Sequence, residues 1–142
     1  MARRSGYDTN LASEFYVMSV LHRLGLEAHL TLGNKKAVDI VVVRAPGDTI
    51  TIDVKGVAGS VDWLVGNAGS EPRERHFVIL ISYNGKIGQV DALPQCWILP
   101  HLEFLQLVKN AKSPSKMEYI SRAAVRKLNA RAENWSLLSG KD

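Results

Sequence analysis

Between residues 10 and 24 the apolar side chains include Leu11, Phe15, Val17, Met18, Leu21 and Leu24. That spacing of three to four is a helix with one buried face. Asn10 or Thr9 can cap its start, and Gly25 is a natural stop. The period then shortens. Residues 27–32 read as a first strand, and Gly33-Asn34-Lys35-Lys36 turns the chain. Residues 38–44 and 49–55 are two further strands, joined by Ala45-Pro46-Gly47-Asp48, a strong turn signal.

Residues 57–75 are rich in Gly, Ser and Asn and read as a long loop, with at most one helical turn around Trp63. His76 to Tyr83 is an unbroken apolar run that suits a central strand, ended by Asn84-Gly85. Gln95 to Leu99 is a short final strand, and a helix follows over 101–110 after Pro100. Ser113-Pro114-Ser115 is a loop, Ser121 can cap a helix near 122–129, and Trp135 with Leu137-Leu138 reads as a tail docking on the core. Strands between helices predict an α/β domain with a central mixed β-sheet flanked by helices. The whole chain, 1–142, reads as a single domain, with its core over about 10–110 and a basic helical segment over about 111–142.

Strand alternation tests the hairpin. If partners sum to 92, Ile40 faces Ile52 and Val42 faces Ile50, with Val54 on the same apolar side. The opposite face carries Asp39, Val41, Val43, Thr49, Thr51, Asp53 and Lys55. A slip of one residue breaks the apolar face. The hydrophobic pattern therefore selects the register that sets Asp39 opposite Asp53, about 4.5–5.5 Å apart at Cβ. Two carboxylates so close are stable as an ionised pair only with a cation between them or with one raised pKa. Mg²⁺, for which Mn²⁺ commonly substitutes, takes oxygen ligands of this kind together with substrate phosphate. Lys55, two residues beyond Asp53 on the same face, can orient the attacking water or offset transition-state charge. The plain alternative is a surface salt-bridge cluster at strand ends.

Glu14 adds to this. On a helical wheel it sits within the apolar stripe beside Leu11, Met18 and Leu21. Burying an unpartnered carboxylate costs several kcal/mol, so Glu14 calls for the metal site or Lys55 as its partner. The alternative is a glutamate interacting with the dipole of its own helix.

Composition sets bounds. Hydrophobic residues make up 46% and charged residues 23% of the chain, as in ordinary globular domains. No apolar stretch approaches the roughly 20 residues that span a bilayer, and the basic start lacks the apolar core of a signal peptide. One cysteine, Cys96, excludes an internal disulfide and a thiolate metal cluster, and suits a reducing cytoplasm. A net charge of +4 favours a polyanionic partner. Lys109, Lys112, Lys116, Arg122, Arg126, Lys127 and Arg131 stand against Glu118 alone in residues 109–131, either as a binding surface or as a solvated helix face.

The order of Glu14 on a first helix, then Asp39, then Asp53-Val54-Lys55 at the end of a hairpin resembles the PD-(D/E)XK nuclease superfamily, the restriction-endonuclease-like fold. Val38 stands where the family name has proline. The stretch Leu30 to Asp39 is similar to small stand-alone bacterial members. The resemblance covers roughly residues 10–83 and implies a core of helix, three-stranded meander, helix and strand. It implies Mg²⁺ held by Asp39, Asp53 and Glu14, with Glu14, Asp39, Asp53 and Lys55 catalytic in DNA hydrolysis. The segment after Lys55 lacks a convincing helix and does not resemble the glutamine-bearing helix of archaeal Holliday-junction resolvases.

Asn34, Lys35 and Lys36, in the loop leading to Asp39, are placed to touch DNA phosphates, or else form an ordinary polar turn. Trp63 can stack a base, though a core anchor or lid contact is the simpler reading. His76 reads as a structural or exposed histidine, Trp97 and Trp135 as core, and Cys96 as a small buried residue. Cutting both strands of a duplex needs two sites, which makes a homodimer plausible. Two other classes compete: an inactive nuclease-like domain that binds nucleic acid or a protein, and an assembly protein whose charges only tie strands together.

Overall fold

The computed structural model describes residues 6–31, 38–66, 69, 71–110 and 118–140. A helix α1 (Gly6–Arg23) leads into β1 (Glu27–Leu30), β2 (Ile40–Ala45) and β3 (Asp48–Val57). A short β4 (Trp63–Leu64) precedes β5 (His76–Ser82) and β6 (Gln95–Pro100). Then come α2 (His101–Asn110), β7 (Tyr119–Ile120), α3 (Arg122–Arg126) and two 3-10 turns, Asn129–Arg131 and Trp135–Leu138. Five strands form one sheet in the order β1-β2-β3-β5-β6. Only the β3–β5 pairing is parallel, and the other three are antiparallel. The expected mixed sheet with flanking helices is present.

Register follows the hydrophobic pattern. Ile40 pairs with Ile52 and Val42 with Ile50, the pairing that puts all four on one wholly buried face. With Ile79 and Ile81 of β5 they meet Val17 and Leu21 of α1 and Leu138 of the tail. The other face buries Val78, Leu80, Trp97 and Leu99 beneath Phe104, Leu105 and Val108 of α2, together with Trp63, Ile120 and Val125. Strand β5 is covered on both sides, which is why it reads as an apolar run rather than an alternation.

Gly25 ends α1 as its position predicts. Its φ is +78°, Leu26 N–H donates to Leu21 O, and Gly25 N–H donates to His22 O, a Schellman closure. The helix begins earlier than expected, at Gly6, and its buried stripe is Thr9, Ser13, Glu14, Val17 and Leu21. Phe15 and Leu24 are exposed, because the helix approaches the sheet along small side chains.

Three expectations change. The segment around Trp63 is a strand, not a helical turn; it pairs with β7 from far along the chain, a partner that local sequence cannot reveal. The helix capped by Ser121 stops at Arg126. The basic C-terminal region is not one solvated face. Arg122 is buried, Arg131 pairs with Glu103 on α2, and Glu133 closes the outer edge of β6 by exchanging bonds with Cys96. Among the described residues no helix is long and apolar enough to cross a membrane.

Candidate active site

Strand β3 outruns β2. Thr51 N–H donates to Arg75 O beside β5, so the odd-numbered amides of β3 face β5 and the even-numbered ones face β2. Where β2 stops at Ile40, the Val54 amide has lost its strand partner. The Asp39 carboxylate fills the place: Val54 N–H donates to Asp39 Oδ2 at 2.8 Å. The Asp39 backbone is fixed as well, its N–H donating to Ile52 O and its carbonyl accepting from Thr31 N–H. The Thr31 hydroxyl also donates to the Val38 and Asp39 carbonyls.

At this fork lies a cavity of about 350 Å³ lined by Glu14, Asp39 and Lys55, with Asn10, Trp63 and Leu64 at its sides. Glu14 is buried, as its place in the helical stripe predicts. Gly56 sets the height of α1 above the fork. A Cβ there would lie 2.1 Å from Ser13 Oγ and 3.0 Å from Ser13 Cβ, so a side chain would lift the helix that carries Glu14. Trp63, as the simpler reading has it, is a core anchor. It is 1% exposed, its Nε1–H donates to Ile81 O, and the Arg122 guanidinium lies 4.9 Å over its ring.

The β2–β3 hairpin keeps the expected register, with partners that sum to 92, but Asp53, whose neighbour on the other side is Val78 of β5, does not line the cavity. Oδ2 lies 3.2 Å from His76 Nε2 and 3.5 Å from the Arg73 guanidinium. Burial pushes the Asp53 carboxyl upward, but the His76 contact and the fields of His76, Lys55 and Arg73 outweigh it and hold it below the usual carboxylate range. Asp39 Oδ2 takes the Val54 N–H, while Asp53 Oδ2 meets His76 and Arg73. Among the described residues no three His, Cys, Asp or Glu side chains form a ready metal cluster. The side chains that could hold a hard cation are the oxygen donors Glu14 and Asp39 in the cavity, with Asp53 beside it.

Asn34, Lys35 and Lys36 lie outside the described residues. The sequence reading missed three supporting residues. Arg73 gave no local signal. Gly56 carried one, as a glycine inside a strand pattern marks a close backbone approach. Arg122 reaches Gly59 and Val61 carbonyls and Ser82 Oγ, holding the 59–62 segment against β5. His76 is buried, 2% exposed, and meets the Asp53 carboxylate.

The fold is thus a five-stranded mixed sheet with helices on both faces, and acidic and lysine side chains meet at the fork of β2 and β3. The chain is similar in structure to a bacterial homing endonuclease, I-Ssp6803I, with a TM-score of 0.58 over 96% of this chain and 93% of that one. The two sequences are 12% identical, so the likeness is one of fold. No family model matches the chain, and no curated protein matches it in sequence.

Proposed function

We propose that this protein is a metal-dependent DNA endonuclease of the PD-(D/E)XK type. The observation that carries the reading is the meeting of Glu14, Asp39 and Lys55 in one cavity at the fork of β2 and β3, beside Asp53 and within a fold shared with an endonuclease. Asp39 and Glu14, joined by Asp53, would hold Mg²⁺ or Mn²⁺. The donor set is all oxygen, the kind such ions take. A cation bound there supplies positive charge to the scissile phosphate. Lys55 lines the same cavity, where it would orient the attacking water and offset charge as the P–O bond breaks. Asn34, Lys35 and Lys36 would bind flanking phosphates. Double-strand cleavage would take two copies, hence a homodimer, acting in the cytoplasm.

The test is cleavage of labelled single-stranded, duplex, flap and four-way-junction DNA with EDTA, Mg²⁺ or Mn²⁺. Cutting that requires metal and disappears in Lys55→Ala is the expected result. A folded protein that cuts none of these substrates under any condition overturns it. One observation favours a second reading, a domain that binds DNA without cutting it: the Asp53 carboxylate is engaged by His76 and Arg73 rather than lining the cavity. Salt-sensitive DNA binding with no metal-dependent cutting would establish that alternative.

A further inference from the structure

His76 opens β5 with its side chain 1% exposed, yet both ring nitrogens have polar partners. Nδ1 lies 2.7 Å from Thr51 Oγ1. Nε2 lies 2.7 Å from the Arg73 guanidinium and 3.2 Å from Asp53 Oδ2. The ring is also held by its face and edge. It packs at 80° against His101, centroids 4.9 Å apart. His101 in turn stacks on Phe104 and accepts the Arg73 backbone N–H.

One ring nitrogen cannot accept from Arg73 and donate to Asp53 at the same moment. As acceptor it takes the guanidinium, which then reaches across to Asp53 as well. As donor it serves the Asp53 carboxylate directly. The Thr51 hydroxyl fits either tautomer, since it both donates and accepts. The imidazole thus acts on the carboxylate through Arg73 in the first arrangement and directly in the second.

We propose that His76 is the positioning residue of Asp53, setting the direction in which its carboxylate meets the metal. The inference rests on the metal-dependent nuclease reading above and adds a residue to it. Outer partners of this kind fix a ligand's orientation without touching the ion.

The test is Mn²⁺ affinity by calorimetry without DNA, alongside kcat and KM for DNA cleavage and a thermal melt. His76→Phe keeps the ring packing and removes both nitrogens. Its Mn²⁺ affinity should fall about 10–100-fold, with kcat reduced and KM for DNA unchanged. His76→Gln, which restores an N–H donor, should recover part of the loss. Thr51→Val leaves His76 in place but frees its ring to turn, and should weaken Mn²⁺ binding several-fold even if His76→Phe does not fold. Wild-type affinity in a folded His76→Phe, or in Thr51→Val should His76→Phe not fold, overturns the positioning role alone. A wild-type protein that binds no Mn²⁺ removes the metal-dependent reading first, and this inference with it.

Discussion

The Asp39 carboxylate accepts the Val54 N–H at 2.8 Å, standing in for strand β2, which begins one residue later at Ile40. One side chain thereby satisfies a buried amide of β3 and lines the cavity with Glu14 and Lys55. Stability and chemistry meet in the same carboxylate, but they ask different things of it. The amide needs an oxygen acceptor; a metal needs a negative charge.

Asp39→Asn and Asp39→Ala should therefore part company. The asparagine keeps an acceptor for Val54 and should unfold in urea close to wild type, while losing metal-dependent cleavage. The alanine removes that acceptor and should cost about 1–3 kcal/mol as well. Equal stability of the two variants would show that the Val54 bond contributes nothing.

Gly56→Ala should lower stability by about 1–3 kcal/mol, since its Cβ would stand 2.1 Å from Ser13 Oγ. The double variant Gly56→Ala with Ser13→Gly removes the clash and should recover part of the loss, less the cost of about 1 kcal/mol for glycine inside a helix. Thermal melts of the three variants check this. Cleavage should fall in the single variant more than its stability explains, because α1 carries Glu14.

Acid should destabilise the protein in two windows. Burial, with the fields of His76 and Arg73, depresses His101, against a smaller upward pull from Asp53. Asp53 is also held low, by His76, Lys55 and Arg73 against the upward push of burial. In both cases the unfolded chain binds protons more readily, so stability rises with pH. The His101 contribution is complete above its ordinary value of 6.5 and is lost as pH falls below it. The Asp53 contribution is lost below 3.8. Urea unfolding between pH 7.5 and 3 should lose the upper window in His101→Gln and the lower one in Asp53→Asn; unchanged profiles would contradict the assignment.

Arg122→Ala should cost about 2–4 kcal/mol, because the side chain supplies donors to Gly59, Val61 and Ser82 and covers the Trp63 ring. Arg122→Lys keeps the charge but loses the fork, and should recover only part of it. Chemical denaturation and Trp fluorescence report on both.

The sequence by itself determined the sheet's inner hairpin. Alternation of Ile40, Val42, Ile50, Ile52 and Val54 admits one register, because a slip exposes every one of them. It also determined that Glu14 is buried, from its place in a helical stripe, and that Gly25 stops α1. Tertiary structure alone decided where the carboxylates point. Asp39 turned to an amide orphaned where β2 begins, and Asp53 to His76 and Arg73, partners that lie 20 or more residues from Asp53 in sequence and come close only across the parallel β3–β5 pairing. Likewise β4 exists because β7 lies beside it. Periodicity reports which face a side chain occupies; hydrogen-bond partners from distant segments decide what it does there.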